Sequence, residues 1–277
     1  MSNAVKVIAV ASGKGGVGKS NVSANLSYQL AQRQRRVLLM DADLGLANID
    51  VLMGLRARRN LADVIEGRCS LEEILLTGPG GVRLIPAASG LKRMAEMDNK
   101  AHAAIIQGIS SLDEDFDYLV VDTAAGVADS VVSFCRASQQ VLVVISDEPT
   151  SMADAYGLIK VLYREAGLTR FKVVCNMVSS EIQARAVFAR LNDVAQRFLD
   201  VTLEYAGAIP RDEFLLRAVS RQQLVSQLYP TSESSLAFKR LASQVEQWPS
   251  AMGQQGHIQF FFERLLSPSV DPVGAAW

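Results

Sequence analysis

The residues whose types and spacing could do chemistry gather first in Gly13-Lys14-Gly15-Gly16-Val17-Gly18-Lys19-Ser20. This run fits G-x-x-x-x-G-K-[ST], whose glycines let backbone N–H groups turn inward around a phosphate. It follows an apolar, β-branched run, Val5 to Ala11, and opens a stretch of helical periodicity, Asn21 to Arg33. That context gives the pattern its meaning, because a helix N-terminus adds free donors and partial positive charge. Lys19 would neutralise β- and γ-phosphate charge, and the Ser20 hydroxyl would ligate Mg²⁺. The expected cofactors are therefore ATP and Mg²⁺, held by Gly13 through Ser20 with Asn21 following.

Carboxylates come next. Asp41-Ala42-Asp43 closes the apolar run Arg36 to Met40. Two carboxylates two residues apart point the same way if the strand conformation continues. Asp122 follows Tyr118-Leu119-Val120-Val121, where the metal-side aspartate of a phosphate site stands, and would hold Mg²⁺ through water. Asn176 ends Val173-Val174-Cys175, and Pro210 lies in Ile209-Pro210-Arg211-Asp212. On residue type alone, these last two also fit capping and turn roles.

The elements that must position these residues alternate along the chain. Further apolar runs cover 82–86, 118–121, 140–145, 171–175 and 203–208. Helical periodicity predicts helices at 60–75, 98–112, 128–137, 150–166, 181–197 and 233–248. Short, nearly continuous apolar strands between helices imply an α/β fold, a mostly parallel sheet covered by helices on both faces. Ligands of such sheets bind at the carboxyl ends of the strands, where the residues above fall. A length of 277 residues suits one large domain, expected over 1–248. Residues 249–256 are uncharged and turn-rich and read as a linker. Within 257–266, Ile258, Phe261, Phe262, Leu265 and Leu266 recur at amphipathic helical spacing, before a tail to Trp277.

The net charge of −1 offers no global basic field, so direct nucleic-acid binding is not expected. Arg33, Arg35 and Arg36 cluster, as do Arg56, Arg58 and Arg59, and both sets read as solvated helix ends and loops. Cys69, Cys135 and Cys175 are far apart, which fits free thiols in a reducing compartment. No signal peptide and no run of about 18 apolar residues is present, so a cytoplasmic location is expected.

Lys14 makes the loop more specific. Lys14-Gly15-Gly16-Val17-Gly18-Lys19-Ser20 resembles the deviant Walker A loop of the MinD/ParA ATPase superfamily. The resemblance spans roughly residues 4–248 and implies a P-loop three-layer fold and ATP hydrolysis. It implies that Lys14 reaches across a homodimer interface to the partner's nucleotide, as an arginine finger does. It places Asp43 on the attacking water, Asp41 near the metal, Asn176 on the adenine ring and Pro210 in the adenine-side loop. Asp122-Thr123-Ala124-Ala125-Gly126 matches the family's switch region, with Gly126 allowing movement.

The stretch Asp41 to Asp50 looks like the switch I stretch of MinD and of the FlhG/FleN flagellar-number regulators, and Gly78 to Val82, Ile85 to Gly90, Asp122 to Gly126 and Asp147 to Ser151 look like FlhG/FleN. That narrower resemblance implies an FlhF-like GTPase, a FleQ-like flagellar transcription activator and flagellar switch proteins as partners. It also implies reversible peripheral inner-membrane association through 257–266, at a cell pole in polar flagellates. Arg264 is the lone basic residue there, so that contact should be weak and should need two copies. Few residues precede the first strand, so activation through the N-terminal helix of many FlhG proteins is not expected. MinD-type division-site placement and ParA-type DNA partition are the alternative readings. Iron–sulfur carriers of the superfamily use paired cysteines, which this spacing does not provide.

Overall fold

The computed structural model describes residues 5–43, 48–86 and 115–249. The expected helix at 98–112, residues 44–47 of the Asp41 to Asp50 stretch, Ala87 to Gly90, and the segments beyond Pro249 lie outside them.

The strands are β1 (Lys6–Ser12), β2 (Val37–Ala42), β3 (Leu76–Thr77), β4 (Arg83–Ile85), β5 (Tyr118–Ala125), β6 (Gln140–Ile145), β7 (Arg170–Val178) and β8 (Thr202–Pro210). The helices are α1 (Lys19–Ala31), α2 (Ile49–Leu52), α3 (Leu61–Ile65), α4 (Leu71–Ile74), α5 (Asp129–Ala137), α6 (Pro149–Ala166), α7 (Glu181–Phe198), α8 (Glu213–Ser220), α9 (Val225–Leu228) and α10 (Glu233–Gln247). One eight-stranded sheet runs β3-β4-β2-β5-β1-β6-β7-β8. Its pairs are parallel except β3 with β4, so the mostly parallel sheet expected from the sequence is the one observed.

β1 lies between β5 and β6 and is buried along its whole length, which is why Val7 to Ala11 are apolar without alternation. Period two nevertheless decides the faces. Ile8, Val10, Leu39, Val120 and Leu142 pack against Leu26 and Leu30 of α1 and Phe238 and Leu241 of α10. The intervening residues face the other way: Leu38, Met40, Leu119 and Val121 meet Phe134 of α5, while Ala9, Ala11 and Val143 meet Leu158 of α6 and Val187 of α7.

The single helix expected at 60–75 is two short ones. Gly67 adopts φ +71°, a left-handed conformation that ends α3. Ser70 then restarts the chain with a capping box, accepting from the Glu73 N–H while the Glu73 side chain accepts from the Ser70 N–H. The fifth strand is longer than expected and carries Asp122 within it rather than after it. Helix α8 was not expected from periodicity; Asp212 caps it by accepting from the Phe214 N–H at 2.8 Å.

Buried Lys6 fixes the end of α10. Its Nζ donates to the carbonyls of Val245 at 2.9 Å, Glu246 at 3.3 Å and Trp248 at 2.6 Å. These are carbonyls that a helix C-terminus leaves unsatisfied. Burial holds the Lys6 ammonium below the usual lysine range. The Arg33, Arg35, Arg36 cluster is neutralised locally, by Glu246 at 3.2 and 2.8 Å and by Asp117 at 3.3 Å.

Candidate functional site

β1 delivers the chain to the carboxyl edge of the sheet, and the next residues form the glycine loop. Gly16 and Gly18 adopt φ +82° and +83°, conformations that disfavour a side chain. Gly18 is the N-cap of α1 and brings no side chain to its first N–H groups. Those donors are thus presented by backbone alone, the arrangement that suits an anion. A Cβ on Gly13 would sit 2.1 Å from the backbone of Asp154, so α6 packs directly on the loop. A Cβ on Gly18 would sit 2.3 Å from Nδ2 of Asn176, which donates to the Val17 carbonyl at 2.8 Å. Asn176 therefore braces the loop from β7, a contact that the adenine role expected for it did not foresee. Asn21, in the first turn of α1, accepts from Asn25 Nδ2 at 2.9 Å through its backbone carbonyl.

Asp122 is fully buried and holds the centre of the site. Lys19 Nζ lies 3.0 Å from its Oδ1 and the Ser20 hydroxyl donates to Oδ2 at 2.7 Å. The Ser23 hydroxyl donates to Oδ1 at 2.6 Å. Ser23 was not singled out from the sequence, although its spacing from Lys19 and Ser20 places all three on one face of α1. The residues proposed to meet phosphate and metal are thus already joined by one carboxylate, whose remaining lone-pair directions suit a cation. A Lys–Ser–Asp cluster under a glycine loop fits Mg²⁺ with a nucleotide phosphate.

Asp41 stands opposite Asp122 in the β2–β5 register. Its carboxylate accepts from the N–H groups of Asp43 at 3.1 Å, Asn48 at 3.1 Å and Ile49 at 3.2 Å. It therefore ties together the two ends of the segment that links β2 to α2. Burial above all pushes its carboxyl up to about 6; the Ile49 N–H opposes the rise and the Asp122 carboxylate adds to it. β2 stops at Ala42, so the extended backbone that would align Asp41 with Asp43 does not continue; Asp43 is half-buried, with its N–H turned onto Asp41.

Lys14 lies back on its own chain. Its Nζ contacts the Glu148 carboxylate and donates to Thr150 Oγ1 at 2.9 Å, both at the start of α6. The Lys14 hydrogen bond and charge hold the Glu148 carboxyl below its ordinary range, with Arg211 adding a smaller pull. Pro210 ends β8 opposite Val178 and lines a cavity of about 260 Å³ with Ser180 and Arg240. It contacts this cavity, whereas Lys19, Ser20, Asp122 and Asp41 converge beneath the glycine loop.

The family described as ParA, NUBPL iron-transfer P-loop NTPase has a model that matches residues 3–246. The chain belongs to this family. It is 56% identical to the antiactivator FleN of Pseudomonas aeruginosa, over 95% of this chain and 94% of that one. It is 34% identical to the flagellum site-determining protein YlxH of Helicobacter pylori, over 94% of this chain and 90% of that one. Among solved structures, the septum site-determining protein MinD of Pyrococcus horikoshii, complexed with Mg-ADP, superposes with a TM-score of 0.68 at 26% identity, over 88% of this chain and 96% of that one. The P-loop fold and the FlhG/FleN-like kinship expected from the sequence are those found. The family's description names iron transfer, and the three cysteines of this chain, Cys69, Cys135 and Cys175, are free thiols. Cys135 and Cys175 are buried, with thiols that burial pushes up to about 12. Among the described residues, no group of three or more His, Cys, Asp or Glu is placed to hold a metal.

Proposed function

We propose that this chain is an ATP-dependent, dimerising regulatory ATPase that restrains flagellar number and placement, with slow hydrolysis of ATP to ADP and phosphate resetting the dimer. The observation that carries the nucleotide part is the buried Asp122 carboxylate joined to Lys19 and Ser20 beneath the glycine loop. The observation that carries the flagellar part is the 56% identity to FleN across nearly the whole chain.

Under this reading the backbone from Gly13 to Ser20, with Asn21, cradles the phosphates, and Lys19 neutralises their charge. Ser20 and Asp122 hold Mg²⁺, with Asp41 behind them. Mg²⁺ would supply charge neutralisation and fix the phosphate oxygens. Asp43 orients the attacking water, Asn176 and Pro210 flank the adenine, and Lys14 leaves Glu148 to serve the partner's nucleotide. The ATPase domain spans 1–248, followed by a linker at 249–256 and, over 257–277, an amphipathic helix and tail of which 257–266 contacts the membrane. Among the described residues no helix is long and apolar enough to cross a membrane, which leaves peripheral contact as the mode proposed. The protein then works in the cytoplasm and reversibly at the inner membrane, at a pole in polar flagellates. An FlhF-like GTPase, a FleQ-like activator and flagellar switch proteins are its proposed partners. Counting flagella per cell after deletion tests the reading. Extra or misplaced flagella are expected, whereas normal flagella with misplaced septa would favour the division-site alternative.

A further inference from the structure

We propose that Ser23 is the residue that holds Asp122 toward the metal while ATP and Mg²⁺ are bound; this rests on the nucleotide reading above. Ser23 is fully buried, one turn along α1 from Lys19. Its Oγ lies 2.6 Å from Asp122 Oδ1 and 3.2 Å from the Lys19 carbonyl. A hydroxyl has a single proton to give, and the shorter contact, to a carboxylate, takes it. Three side chains thus satisfy Asp122: Lys19, Ser20 and Ser23. Two of them are groups that the ligand claims. Phosphate oxygens would draw the Lys19 ammonium, and Mg²⁺ would take a lone pair of the Ser20 hydroxyl oxygen, so both groups would serve the ligand as well as Asp122. Ser23 has no such second task. It is fixed on the helix and covered from solvent, and its bond is to Oδ1, whereas Ser20, the hydroxyl that would meet the metal, is bonded to Oδ2.

A buried carboxylate without that donor would be free to rotate and would lack a partner for Oδ1 when the ligand arrives. Ser23 therefore acts as a positioning residue: it touches neither nucleotide nor metal, and it tunes the site's preference for the magnesium form of the nucleotide. A role confined to packing would weaken the fold, or binding in general, without distinguishing Mg-ATP from ATP alone.

The test is equilibrium titration of the full chain with a fluorescent ATP analogue, once with Mg²⁺ and once with EDTA, for wild type, Ser23→Ala and Ser23→Thr. Ser23→Ala is expected to weaken binding about tenfold or more with Mg²⁺. Its affinity in EDTA should match wild type, and Ser23→Thr should restore the magnesium dependence. Equal affinities of Ser23→Ala and wild type with Mg²⁺, or equal losses in both buffers, overturn the proposal. Thermal unfolding without nucleotide is run beside the titration, so that a folding defect in the threonine variant leaves the alanine comparison decisive. Failure of the wild type to bind the analogue in either buffer would sink the nucleotide reading itself, a result distinct from the Ser23 outcomes.

Discussion

Gly18→Ala should destabilise the chain through two effects that the structure separates. The residue sits at φ +83°, where an L side chain costs about 1–2 kcal/mol. The new Cβ would also stand 2.3 Å from Asn176 Nδ2. Asn176 can yield only by giving up its 2.8 Å bond to the Val17 carbonyl, in a place where both groups are buried. Leaving such a pair unsatisfied costs about 1–3 kcal/mol, so the total is about 2–5 kcal/mol. In a domain of this size that corresponds to a fall in Tm of about 4–20 °C. The control is Gly15→Ala, because Gly15 is exposed and a Cβ there meets nothing within 4 Å. Its Tm should match wild type to within about 0.5 kcal/mol of stability. Circular dichroism of nucleotide-free protein measures all three. The double variant Gly18→Ala/Asn176→Ala adds a check, since removing Nδ2 removes the clash and the loss in the double variant should be smaller than the sum of the two single losses. A Gly18→Ala variant that melts with Gly15→Ala, or strict additivity in the double variant, would refute the reasoning.

Other outcomes follow from the same geometry. Asp43→Ala should bind ATP and dimerise but lose turnover, read by phosphate release; normal release would remove Asp43 from the water-positioning role. Asp41 gives a pH signature. Its carboxyl rises from 3.8 to about 6 in the fold, so the folded state binds the proton more tightly and stability from this group is full below about pH 4. That stability is lost as pH rises through about 6, a span worth roughly 3 kcal/mol. Urea unfolding of metal-free protein should therefore show wild type losing ground to Asp41→Asn between pH 4 and 7, and a constant difference would contradict this. Lys6→Met keeps the apolar stem but removes the donor to three carbonyls at the end of α10, and should cost about 2–4 kcal/mol in urea unfolding. Unchanged stability would mean that water caps that helix as well as Lys6 does.

How far the sequence could be read depended on how local each cause is. The glycine loop was legible because its conformation, its donors and its lysine all lie within eight consecutive residues. The central strands were legible because burial on both faces demands an unbroken apolar run, as in β1. The division of 60–75 was missed because apolar spacing persists across Gly67 and Ser70, and only their turn chemistry breaks the helix. Helix α8 was missed because it is short and begins directly after the strand-end proline, with its cap at Asp212 as the main signal. Ser23, the Lys14–Glu148 contact and the Asn176 brace share a different obstacle: each joins residues about 100 or more positions apart. Pairing across such distances is settled by sheet order and register, which period and composition do not encode. Asp41 shows the same limit on a smaller scale, since its role depends on whether β2 continues past Ala42 or turns.

The central claim is that Lys14 makes ATP a dimer clamp, and sizing tests it most directly. Analytical ultracentrifugation of the full chain should give the monomer mass with ADP and Mg²⁺ and twice that mass with ATP and Mg²⁺. Lys14→Ala should bind ATP and remain monomeric in both. A wild-type chain that stays monomeric with ATP bound, or a Lys14→Ala chain that dimerises with it, would contradict the account.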